Sequence, residues 1–121
     1  MNIDYMEHEL SKREKKIARV CIDKGLDIEY REALERVESV LQTWRNAEIK
    51  NNKEAYMEMW RAIREEDRSI GLRYNDMKGS RYLGTVIDLY FHGYINSEDI
   101  EGFNDGTKEE INRRVEIMKK Y

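Results

Sequence analysis

The chain has 121 residues, 40% of them apolar and 39% charged, with a formal net charge of −3. That length supports one real hydrophobic core, and that apolar content excludes a disordered tail. The negative balance disfavours nucleic acid as a default partner, the single cysteine excludes an internal disulfide, and no apolar run approaches the ~18 residues of a membrane-spanning helix.

There is no proline, so nothing covalent stops helices from running long. The opening residues Met1–Glu9 carry neither a basic n-region nor an apolar h-region and do not read as a secretory signal. The expectation is a soluble cytoplasmic protein. Glu, Lys and Arg are abundant and Gln42 is the only glutamine, which resembles thermophile usage, although the frequent asparagines run the other way.

A first helix is expected from about Ile3 to Lys24, with Ile3, Met6, Leu10, Ile17, Val20 and Cys21 at three- and four-residue spacing. Cys21, between Val20 and Ile22, reads as a small buried hydrophobe in a reducing compartment. Lys12–Lys16 reads as polar throughout. Gly25 suits a helix stop, and Asp27 can cap a second helix reaching about Glu48. That helix carries Tyr30, Leu34, Val37, Leu41 and Trp44 as one stripe.

Lys50–Lys53 reads as a turn with Asn52 as the cap of a third helix bearing Ala55, Tyr56, Met59, Trp60, Ile63 and Ile70. The short loop makes the second and third helices an antiparallel hairpin, with Trp44 and Trp60 inward by period; an aromatic pocket or a dimer interface is the alternative role for them. A break or kink is expected near Gly71.

Residues 82–95 are apolar almost all the way round, and a helix greasy on every side must be wrapped by others. We therefore expect a central buried helix over about 81–93, capped by Ser80 and ended by Gly93. Ser97 can open a one-turn helix at 98–102. Thr107 with Glu110 reads as a capping box for a last helix that turns Ile111, Val115 and Met118 inward. No stretch alternates with period two, so no sheet is expected. The fold class read from these elements is all-α: a single domain over 1–121, a multihelical bundle of five to six helices packed around the central hydrophobic one.

Chemistry is sparse. Arg81, Thr85, Asp88 and His92 step by four, three and four along the central helix and share a face. Asp88 and His92 can hydrogen-bond, and a carboxylate beside an imidazole raises its pKa and fixes its tautomer, as acid–base work requires. This line is the candidate polar site; the competing reading is a solvent-facing seam or a device that fixes helix register. Asp88–Asp99 resembles the second half of an EF-hand loop, but Tyr90 and His92 stand where oxygen ligands belong and Asp99 replaces the bidentate glutamate, so calcium is not expected. Glu-x-x-His pairs and Cys/His zinc spacings are also missing, and no metal or cofactor is assigned.

Lys12, Lys16 and Arg19 share one side of the first helix and form the candidate basic patch, blunted by Glu7, Glu9 and Glu14. The last helix opens with Glu109 and Glu110, the wrong sign for reading DNA, and no phosphate-cradling glycine loop or nucleophile–base pair occurs. We read the chain as a non-enzymatic protein-interaction or regulatory module, with a protein partner or a homo-oligomer favoured and a small-molecule partner left open. Two alternatives stand beside it: a nucleic-acid-associated protein using the basic first helix, and a small-molecule or metal enzyme using Arg81, Asp88 and His92.

Overall fold

The computed structural model describes residues 8–75 and 77–121. The expected positions Ile3 and Met6 lie outside them. The fold is all-helical: α1 spans Lys12–Arg45, α2 Asn52–Tyr74, α3 Tyr82–Phe91 and α4 Asp105–Met118, with a 3₁₀ turn at Gly79–Arg81 and no strand among the described residues. These residues fall into two compact units, one of residues 8–25 with 77–121, the other of residues 26–75.

Among the described residues there are four α-helices rather than five to six. The expected first and second helices are one, because Gly25 does not stop α1 and Asp27 does not cap a new helix. Glu14, Ala18, Cys21, Gly25 and Glu29 are buried at spacings of four, three, four and four, so one inward stripe continues straight through the glycine. Against that burial, the ~1 kcal/mol of a mid-helix glycine is small. Likewise α2 passes through Gly71 without a break and ends at Tyr74. Residues 97–102 form successive turns instead of a further helix.

The helix starts also differ from expectation. Ser11 Oγ accepts the Glu14 N–H at 3.1 Å and Glu14 Oε1 accepts the Ser11 N–H at 3.2 Å, a reciprocal capping box at the head of α1. Asn51, not Asn52, caps α2, its side chain accepting from the N–H groups of Lys53 and Glu54. Ser80 does not cap α3, whose N-cap is Arg81 without a side-chain bond. Asn96, not Ser97, holds the 97–102 turns: its Oδ1 accepts from the Glu98 and Asp99 N–H groups, while Asp99 Oδ2 accepts from the Asn96 N–H at 2.8 Å.

The unit built on α3 and α4 holds the larger core. Tyr82, Leu83, Thr85, Val86, Ile87 and Leu89 of α3 are all buried, Val86 and Leu89 completely. Leu10, Ala18, Cys21, Ile22, Ile95, Ile100, Phe103, Ile111 and Val115 complete that core. Val20, expected inward, is 68% exposed. Gly93 ends α3 at φ +78°, with the Tyr94 N–H on the Leu89 carbonyl and the Gly93 N–H on the Tyr90 carbonyl, a Schellman stop as expected for glycine at this position.

In the second unit, α1 from residue 26 onward and α2 form an antiparallel hairpin. Ion pairs and a hydrogen bond set its register: Arg73 on Glu29 at 2.7 Å, Arg36 on Glu65 and Glu66 at 3.2 Å each, and the Trp44 indole N–H on Asn52 Oδ1 at 2.8 Å. Its buried apolar side chains are few: Ala55, Ala62 and Ile70.

Candidate functional site

The polar line on α3 occupies that helix's only open side. Arg81, Gly84 and His92 are exposed and Asp88 is half-buried. Asp88 Oδ1 lies 3.2 Å from His92 Nε2, and the imidazole stands edge-on to Phe91 with ring centroids 5.1 Å apart. Thr85 is not part of the open side. It is buried, and its hydroxyl donates to the Arg81 carbonyl at 3.0 Å, as a helix-interior threonine does when it bonds one turn back. The structure therefore brings Asp88 and His92 together, leaves Arg81 at the head of the same side and withdraws Thr85.

The three residues of the basic patch are all exposed. Lys12 and Lys16 have no hydrogen-bond or ion-pair partner among the described residues, whereas Arg19 donates to the Tyr82 hydroxyl at 2.9 Å and lies 5.7 Å from that ring's centre. Their neighbour Arg13 is used internally, donating to the Gly102 carbonyl at 2.7 Å and to Asn104 Oδ1.

The most constrained polar group is one that sequence reasoning missed. Glu14, 2% exposed, lies inside the stretch read as polar throughout. Its Oε1 takes the Ser11 N–H and its Oε2 takes the Asn104 N–H at 3.1 Å, so one carboxylate closes the N-termini of both α1 and α4. Burial pushes its pKa up, but hydrogen bonds from Thr107, Asn104 and Ser11 outweigh that and hold it below the ordinary carboxylate value. The negative charge at the start of α4 also suits the helix dipole. Thr107 is accordingly not the N-cap of α4. Asn104 occupies that place, and the Thr107 hydroxyl lies between Glu14 and His8 Nε2, the latter at 2.6 Å. Glu110, the expected box partner, accepts from Arg114 at 2.8 Å and from Arg113. The legible signal was the Ser11-x-x-Glu14 spacing itself.

A contiguous apolar face lies on the hairpin. The stripe Tyr30, Leu34, Val37, Leu41, Trp44 on α1 steps by four and three, and so does Tyr56, Trp60, Ile63, Asp67, Ile70 on α2. Tyr30 is 51% exposed, Leu34 70%, Tyr56 60% and Trp60 48%. Both tryptophans expected in the core are thus surface groups, because each helix turns a neighbouring line, Ala33 and Val40 on α1 and Ala55, Met59 and Ala62 on α2, towards its partner helix. Two open grooves run along the face. One, of about 410 Å³, is lined by Tyr30, Leu34, Val37, Ile63, Asp67 and Ile70; the other, of about 190 Å³, by Val40, Leu41, Trp44, Ala55, Tyr56 and Met59.

Among the described residues no helix is long and apolar enough to cross a membrane, and no group of three or more His, Cys, Asp and Glu side chains is placed to hold a metal ion. No protein-family model, curated protein or solved structure matches the chain.

Proposed function

We propose that this protein is a non-enzymatic protein-interaction module and that the apolar face of its α1–α2 hairpin is the docking surface. The observation that carries the reading is the exposure of Tyr30, Leu34, Leu41, Trp44, Tyr56, Trp60 and Ile63 together on one face. Scattered apolar side chains are ordinary on a protein surface, but a contiguous, aromatic-rich patch marks a place where another surface sits. A two-helix hairpin whose own core is two alanines and an isoleucine buries too little to account for keeping so many large side chains at heptad spacing. The alternative catalytic reading rests on the α3 line, where the structure brings together one Asp88–His92 pair and withdraws Thr85.

The test is the stability of Leu34→Asp and Leu41→Asp variants, measured by urea unfolding at ~1 μM so that association contributes little. A docking face predicts full helicity and an unfolding free energy within ~1 kcal/mol of the native chain, because the new charge stays in water. A loss above ~3 kcal/mol would mean that the face is intrachain core, and the reading would fall.

A further inference from the structure

We propose that the occupant of the hairpin face is a second copy of this chain, docked face to face about a two-fold axis with the two α1 helices antiparallel. This rests on the docking-surface reading and commits it to one partner. Three observations carry it.

The first is area. The exposed parts of the seven large side chains amount to roughly 700 Å² on each chain, an aromatic side chain alone carrying about 150–250 Å². Two copies together would bury on the order of 1,400 Å², inside the ~1,200–2,000 Å² range of stable specific interfaces.

The second is periodicity. Both exposed stripes follow the four–three spacing of helices that pack knobs into holes. A hairpin offering two such stripes side by side is half of a four-helix bundle, and its own duplicate supplies the other half with matching length and spacing.

The third is charge. Arg31 and Glu38 fall on the outer flank of the α1 stripe with opposite sign, one on each side of Leu34 and Glu35. Glu38 has no hydrogen-bond or ion-pair partner among the described residues, and Arg31 meets only the exposed Glu35, at 3.5 Å. When the second copy's α1 runs antiparallel with the axis near Leu34 and Glu35, Arg31 of each chain faces Glu38 of the other. With the two-fold axis along the helices instead, each α1 would lie across the other copy's α2 and these reciprocal Arg31–Glu38 pairs would be lost, so the pairs favour the antiparallel arrangement.

The experiment is sedimentation equilibrium of the full chain over ~1–200 μM, beside Leu34→Asp, with circular dichroism on both. The expected result is a reversible monomer–dimer equilibrium whose dissociation constant rises at least ~100-fold in Leu34→Asp while helicity is kept, since each dimer would bury two unpaired charges. Orientation is read by disulfide formation: Arg31→Cys chains mixed with Glu38→Cys chains should cross-link faster than either alone. A native chain that stays monomeric overturns the proposal. In that case a folded Leu34→Asp leaves the docking-surface reading standing with a different partner, and an unfolded one removes both. A dimer indifferent to Leu34→Asp, or self-linking that outpaces mixed linking, also overturns it.

Discussion

Glu14 Oε2 accepts the backbone N–H of Asn104 at 3.1 Å, joining two positions 90 residues apart in the chain. The same carboxylate closes the first turn of its own helix through Ser11. A single buried side chain thereby holds α1 and the head of α4 together.

Glu14→Ala should destabilise the fold by about 2–4 kcal/mol, combining the lost cap at the head of α1 with the lost bond to the head of α4 and a cavity at a buried position. Glu14→Gln keeps an acceptor oxygen and should cost about half as much. Guanidinium unfolding of the two variants checks both the size and the order.

The pH dependence follows from the same group. The folded-state pKa of Glu14 lies below its ordinary value of 4.5. Burial likewise raises Asp99 and Glu110, but Lys24 and the Asn96 N–H for the first, and Arg113 and Arg114 for the second, bring both below the ordinary range. A depressed folded pKa means that the unfolded chain binds the proton more readily. These carboxylates therefore contribute stability that is complete above their unfolded pKa values and is lost as pH falls through the folded ones. Thermal melts from pH 7 downward should hold steady until about pH 5 and then decline. Glu14→Gln should show a shallower decline than the native chain.

Leu89→Asp should abolish folding. Leu89 is fully buried, with buried Thr85 and Val86 one turn before it, and an ionised carboxylate there has no partner to offset its desolvation. A cooperative melt and native helicity in Leu89→Asp would contradict the account of α3 as a buried helix.

Two helix stops give opposite expectations. Ala47 sits at φ 61°, with the Glu48 N–H on the Thr43 carbonyl and the Ala47 N–H on the Trp44 carbonyl, the Schellman geometry in which glycine is preferred. Ala47→Gly should stabilise by up to ~1 kcal/mol, because it relieves a left-handed alanine. Gly93→Ala introduces the same strain at φ +78° and should cost ~1 kcal/mol or more. Differential scanning calorimetry of the two variants should show melting temperatures moving in opposite directions.

Cys21 should be unreactive in the folded chain. It is 1% exposed, and burial, reinforced by Asp99, pushes its thiol up to about 11. The thiolate population is then about a hundredfold below that of an ordinary free thiol, and access lowers the rate further. Iodoacetamide labelling at neutral pH should be slow until denaturant is added.

The parts of the fold legible in the sequence were those where hydrophobicity is one-sided or total. Residues 82–95 announced a buried helix because they are apolar on almost every side, and α3 is buried on all but the side that carries Asp88 and His92; Gly93 announced its end. Gly25 and Gly71 misled, since a glycine's helix penalty of ~1 kcal/mol is overridden wherever an inward stripe continues across it. Glu14 stayed hidden because a glutamate among lysines and arginines looks solvated, and only the distant Asn104 reveals that it is not. The hairpin face was visible as a stripe, but helical periodicity reports that a face is apolar, not whether the chain or another molecule covers it. Period alone therefore assigns Trp44 and Trp60 to the core, and the structure puts them on the surface.

The most direct measurement of the central claim is thermal unfolding of the native chain across a hundredfold range of concentration. If a second copy covers the hairpin face, association stabilises the folded state by mass action, and the melting temperature should climb steadily with concentration, an effect that Leu34→Asp abolishes. A melting temperature that does not move with concentration would contradict it.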